Sequence, residues 1–189
     1  MTPEMFSTIV IVVILLVPIL YILGTYNRLV KLRYTIRESW SNVDTELKRR
    51  YDLIPNLVKT VKGYAAHERG VLEAVVQARQ AAIASTGSPA SQARDENELV
   101  RQMRSLLAVA ERYPDLKASQ NFLALQHELT NTEDRIQAAR RFYNGNVRAM
   151  NVLVQSVPSN LIASMFGFKE EEYFEIEDIG MRAPVQVAL

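Results

Sequence analysis

Residues Phe6 to Leu23 read FSTIVIVVILLVPILYIL, with no charge anywhere in the run and an unbroken series of Val, Ile and Leu from Ile9 to Val17. The uncharged window is wider, from Met5 to Asn27, which is 23 positions. As a helix rising about 1.5 Å per residue these would reach roughly 35 Å, against a bilayer hydrocarbon core of about 30 Å. The window therefore predicts one membrane crossing with some tilt. Pro18 removes one backbone donor, which a helix in lipid tolerates as a local kink. Tyr21 and Tyr26 fall near the far end, where tyrosines favour the headgroup level. A cleaved secretory signal fits poorly. Such signals open with basic residues and close on a small-x-small site, whereas Glu4 is the only early charge and the run ends Leu23-Gly24-Thr25.

Orientation follows from the flank. Arg28, Lys31, Arg33 and Arg37 come directly after the window, with no acid before Glu38. Basic residues stay on the cytoplasmic side. The N-terminus is expected outside the membrane, with the rest of the chain in the cytosol. The same four residues are the candidate contacts to lipid headgroups.

Of the 189 residues, roughly 160 lie beyond the window, enough for one domain with a real core. Seven Gly, seven Pro and no Cys exclude collagen-like and disulfide-framework chains. A formal net charge of +1 gives no global attraction to nucleic acid, so none is expected as a partner.

Past the window, Leu29, Leu32, Ile36, Trp40, Val43, Leu47, Tyr51 and Ile54 recur at intervals of three and four, the mark of an amphipathic helix. This helix either continues the span as one rod or bends near Gly24. Lys48-Arg49-Arg50 reads as its solvated face. Asp52 and Pro55 punctuate the pattern as a cap and an early helical proline do, so a second helix is expected from about Ile54 to Ile83, with a kink in one longer helix as the alternative. Ser85 to Ala93 reads as a loop. A third helix is expected from about Glu96 to Arg112, closed by Tyr113-Pro114. The fourth is the most regular: Phe122, Leu125, Leu129, Thr132, Ile136, Ala139, Tyr143, Val147, Met150, Val154 and Val157 step by three or four at the coiled-coil period. After Pro158, Ser159 is a candidate cap for a short helix carrying Leu161, Ile162, Met165 and Phe166.

These elements predict an all-α chain: a single N-terminal transmembrane helix over residues 1–27, an antiparallel bundle of about four long helices over 28–168, and an acidic tail over 169–189. Short connections force neighbouring helices to run in opposite directions. From Lys169 onward there are six acids against two bases. Ile179 to Leu189 lack a helical period and are expected as an extended tail.

Ordered segments along the chain resemble the LemA family. They include Leu47-Lys48-Arg49-Arg50-Tyr51-Asp52-Leu53-Ile54-Pro55-Asn56-Leu57-Val58, Val61-Lys62-Gly63-Tyr64-Ala65, Tyr113-Pro114-Asp115-Leu116-Lys117, Ala139-Arg140-Arg141, Tyr143-Asn144, Pro158-Ser159-Asn160 and Phe166-Gly167-Phe168. The resemblance implies a bacterial membrane protein with one N-terminal span and a cytoplasmic helical bundle. It supplies no catalytic residue and no cofactor.

The residues agree in offering no chemistry. A di-metal bundle site needs Glu-x-x-His on two helices, but the residues three before His67 and His127 are Tyr64 and Ala124. The His-Glu-x-x-His zinc pattern fails at Val71 and Asn131. Without Cys there is no thiol catalyst or sulfur ligand, and no Gly-rich phosphate loop is present. No catalytic, cofactor-binding or metal residue is assigned, and the protein is not expected to be an enzyme. Glu68, Arg79, Glu128, Glu133 and Arg140 lie beside apolar seams, where charge is costly unless paired; they are expected as paired flanks that fix helix register, with a ligand or partner site as the alternative. The aromatics Phe166, Phe168, Tyr173 and Phe174 are the candidate interaction residues, either tucked against the bundle or offered to a partner.

The function expected is a non-catalytic membrane-anchored scaffold. The lipid bilayer and further copies of the chain in a homo-oligomer are its expected partners. An accessory subunit that binds and regulates another membrane protein, such as a protease or transporter, is the alternative.

Overall fold

A computed structural model describes residues 3–176, and among them all regular structure is helical. The tail expected over Ile179 to Leu189 lies outside the described residues. In order the elements are α1 (Pro3–Tyr64), α2 (Arg69–Ala84), α3 (Pro89–Ala110), the single turn α4 (Pro114–Lys117), α5 (Gln120–Gln155) and α6 (Ser159–Met165). The described residues form two compact units, one of residues 3–38 and 145–171, the other of residues 39–144 and 172–176.

The larger unit is the four-helix bundle, built from α1 after Glu38, α2, α3 with α4, and α5 up to Asn144. Apolar side chains at helical spacing meet in its middle: Ile54, Leu57 and Val61 from α1, Leu72 and Val75 from α2, Leu99, Met103 and Leu106 from α3, and Phe122 and Leu129 from α5 are all buried. The regular seam expected on the last long helix is thus used inside the chain, with Ile136 and Tyr143 buried as well.

Two boundaries differ from the expectation. The first break falls at Ala65 to Glu68 and not at Asp52–Pro55, so α1 runs uninterrupted through Gly24 and Pro55. Pro55 has no N–H to give the carbonyl four residues back, and Arg79 of α2 replaces it, its Nε donating to the Tyr51 carbonyl oxygen at 2.7 Å. The true break is fixed from a distance: Glu68 accepts from Arg112 Nη2 at 2.9 Å and from the Tyr113 hydroxyl at 3.4 Å, tying the turn to the end of α3. The second difference is Pro89, which opens α3 at its first turn after Ser88. Its locked φ and missing donor suit that position, so the loop shrinks to Ser85–Ser88.

The Arg79 contact makes a prediction. Arg79→Met strands the Tyr51 carbonyl and is expected to cost about 1–3 kcal/mol, whereas the same change combined with Pro55→Ala costs much less, because alanine restores the intrahelical donor. Equal losses in the two backgrounds, measured by urea unfolding, would overturn this account.

The smaller unit packs α1 up to Glu38 against the end of α5 and α6. Leu29 and Ile36 of α1, Val147 and Met150 of α5, and Ile162 and Ala163 of α6 are buried. Ser159 is buried too, but its hydroxyl does not cap α6. It donates instead toward the end of α5, at 2.7 Å from Leu153 O within the helix and 2.9 Å from Ser156 O just past it. Gly167, at φ 71°, ends α6 in the left-handed conformation that glycine adopts without strain. The Phe168 N–H then returns to Ala163 O at 2.9 Å and the Gly167 N–H to Ser164 O at 3.2 Å, the paired bonds of a Schellman closure.

Candidate functional site

At the centre of the larger unit the apolar ladder of α1 is interrupted by one charge. Arg50 stands in line with Val43, Leu47, Ile54 and Leu57, and like them it is closed off from solvent. The expected solvated face Lys48-Arg49-Arg50 is therefore divided: Lys48 and Arg49 are exposed and Arg50 is inside. Two carboxylates meet it. Glu133 of α5 accepts from Arg50 Nη1 through both oxygens at 3.2 Å. Glu96 of α3 accepts from Arg50 Nη2 with one oxygen and from the Tyr51 hydroxyl with the other. Both carboxylates are also buried.

The electrostatics describe a lock. Burial alone would lower the affinity of the Arg50 guanidinium for its proton, but Glu133 and Glu96 outweigh it and hold the group above its ordinary value. Burial, and then the Glu96 carboxylate, push the Tyr51 phenol well above its usual range. General acids and bases work best with a pKa near the operating pH; both of these groups have moved away from it. Three helices are instead tied to one guanidinium, whose planar fork suits carboxylates.

A second constellation closes the same unit. Residues Glu172 to Ile176 run without helix or strand partner, yet side chains satisfy much of their main chain, as buried backbone requires. Asn144 of α5 clamps Phe174 from both sides, Nδ2 donating to the Phe174 carbonyl and Oδ1 accepting from its N–H, each at 2.9 Å. Tyr143 Oη donates to Glu172 O at 2.9 Å and Asn97 Nδ2 to Glu175 O at 3.1 Å, while Arg140 donates to Ile176 O. The strap delivers the Phe174 ring edge-on to Trp40 at 5.1 Å, and Trp40 meets Tyr143 at 5.2 Å, arrangements that aromatic quadrupoles favour. The same amide device recurs in the smaller unit, where Asn151 holds Glu171 through bonds of 2.9 and 2.8 Å.

Of the candidate interaction residues, Phe168 and Phe174 are buried and Phe166 and Tyr173 are exposed. Phe168 and Phe166 lie beside Tyr26, with ring centroids 6.0 and 4.7 Å away. Among the candidate headgroup contacts, Arg28, Lys31 and Arg37 are exposed, and Arg33 places its guanidinium 5.0 Å over the Phe168 ring. The charges flanking the seams divide by partner. Glu68, Arg79, Glu133 and Arg140 each hold a bond described above, whereas Glu128 is exposed and lines a shallow groove with Asn56, Lys59 and Asn121. Among the described residues no cluster of three or more His, Asp or Glu is arranged to hold a metal.

Sequence reading missed Arg50, Glu96 and the clamping asparagines. For Arg50 the signal was present: it lies seven residues after Val43 and four before Ile54, on the apolar line itself. Glu96 offers the same hint three residues before Leu99. Asn144 carries none, because its partners are main-chain atoms.

The family model described as LemA family matches residues 39–189. Magnetosome protein MamQ 2 of Paramagnetospirillum magneticum is 26% identical, the match covering 84% of this chain and 68% of that protein. Magnetosome protein MamQ of Magnetospirillum gryphiswaldense is 25% identical over the same shares. Protein LemA of Metamycoplasma hominis is 24% identical, covering 82% of this chain and 71% of its own length. With its family match extending over the bundle, the lock and the strap, the chain belongs to the LemA family.

Proposed function

We propose that this chain is a single-pass membrane protein whose helical part serves as a non-catalytic scaffold in the cytosol. The observation that carries the reading is the state of the N-terminal part of α1. Every side chain from Ile11 to Val17 is at least half exposed, as are Ile19, Leu20 and Leu23. Removing a Val, Leu or Ile side chain from water is worth about 1.5–3 kcal/mol, so leaving all of these in water would carry a penalty on the order of tens of kcal/mol. A bilayer removes it. The basic flank from Arg28 to Arg37 supports the cytoplasmic orientation. A core sealed by a charge lock and a strap supports a rigid body that works through its outer surface, the homo-oligomer being one use of that surface and a second membrane protein the other.

Washing membranes with alkaline carbonate and treating intact cells with protease test the anchor and its direction. The chain is expected in the membrane pellet, protected beyond Arg28. Release into the supernatant, or cleavage past Arg28 from outside, would refute the reading. Crosslinking in cells then separates the two uses of the surface: bonds between identical chains support self-association, and one dominant foreign partner supports an accessory role.

A further inference from the structure

The chain has a second uncharged stretch. Between Arg148 and Lys169 lie 20 residues, Ala149 to Phe168, without an acid or a base. They are the last turns of α5, the connection through Pro158, and α6 with its closure. One side of this hairpin does ordinary work in the smaller unit, where Ile162, Ala163 and Phe168 are buried. The other side is the unusual one. Val157 is 80% exposed, Leu161 66%, Met165 72% and Phe166 47%. Leu161 and Met165 are four residues apart on α6, which places them along one face, and Val157 is exposed in the turn that leads into it. The face that α6 turns to its surroundings is thus as apolar as the face it buries.

The position of this face relative to the anchor is fixed by contacts within the same unit. Phe166 rests on Tyr26 at 4.7 Å, and Tyr26 is the second-last residue of the uncharged window that forms the span. Tyrosines at the end of a span sit at headgroup level. A ring packed against that tyrosine sits at the same depth. The stretch also ends as membrane-facing segments do, with exposed Arg148 and Lys169 at its two edges, where long basic side chains reach headgroup phosphates.

On the anchored reading above, we propose that the α5–α6 tip is a second membrane contact: an interfacial wedge in which Val157, Leu161, Met165 and Phe166 enter the boundary between headgroups and acyl chains, beside the point where α1 leaves the bilayer. Segments of this kind lie in the plane of the interface with their apolar side about 5–10 Å deep. The consequence is that the chain meets the cytoplasmic leaflet at two adjacent places, which fixes rotation about the α1 axis as a single helix cannot.

The absence of Cys makes the test direct. The full chain is reconstituted in vesicles of phosphatidylcholine and phosphatidylglycerol after Leu161→Cys or Met165→Cys, each labelled with an environment-sensitive fluorophore. Leu15→Cys reports the span and Glu128→Cys an aqueous position. Lipids carrying a nitroxide, near the top of the acyl chain to report 161 and 165 and near its end to report 15, are expected to reduce emission about twofold or more at all three positions and not at 128, given interfacial burial at the first two and a mid-bilayer place for the third. Quenching at 15 without quenching at 161 and 165 overturns the wedge and leaves the anchor standing. Loss of quenching at 15 as well removes both. Emission at 161 and 165 that ignores nitroxide lipid but shifts blue with protein-to-lipid ratio also overturns the wedge, and assigns the face to a second copy.

Discussion

Arg50→Met is expected to be the most damaging single substitution in the bundle. It leaves the carboxylates of Glu96 and Glu133 buried without their counter-charge, and breaking a buried ion pair from one side costs about 3–5 kcal/mol. For a chain of this size each kcal/mol moves the melting temperature by about 2–4 °C, so a fall of roughly 10 °C is expected in detergent. The companion variant decides the cause. Removing the whole polar set with Arg50→Met, Glu96→Leu, Glu133→Leu and Tyr51→Phe is expected to recover most of the loss, because a well-packed apolar replacement for a buried ion cluster is often neutral or better. A single variant as stable as the parent would show that the lock is not coupled to folding. A quadruple variant no better than the single one would show that its loss comes from packing.

Phe174→Ala tests the strap in the same way. The ring is fully buried against Trp40, and truncating a buried Phe costs about 3–5 kcal/mol when the site cannot collapse. Its neighbour Tyr173 is 39% exposed, and Tyr173→Ala is expected to change stability by less than about 0.5 kcal/mol. Asn144→Ala is expected to fall between them, since it removes two hydrogen bonds but no large apolar group. Equal effects at 173 and 174, followed by thermal unfolding, would mean that the strap is surface decoration. The outcome bears on the choice between aromatics tucked inside and aromatics offered outward: within one short segment, Phe174 is tucked and Tyr173 is outward.

Much of this architecture could be read directly from residue order. The long apolar start of α1 is legible because a helix long enough to cross lipid needs about twenty apolar residues in a row, a run that stands out in any sequence. The long α5 is legible because ten steps of three or four admit no other periodic structure. Pro55 misled for a physical reason. A proline is locally a boundary, and what overrides it is a donor from Arg79, 24 residues further along. Arg50 misled because composition reads three consecutive bases as surface, while the 3.6-residue period assigns the third of them to the core. The Asn144 clamp was not legible at all, since a side chain that recognises main chain leaves no complementary mark on the sequence it binds.

The strap also sets an order of events during biosynthesis. Trp40 waits for Phe174, a residue 134 positions later, and at about 5–20 residues per second the ribosome takes on the order of ten seconds to supply it. Over that interval the indole has no aromatic cover from that ring. A nascent chain halted before position 172 would be left open at Trp40, and the strap works as a latch that reaches α1 long after that helix has been made.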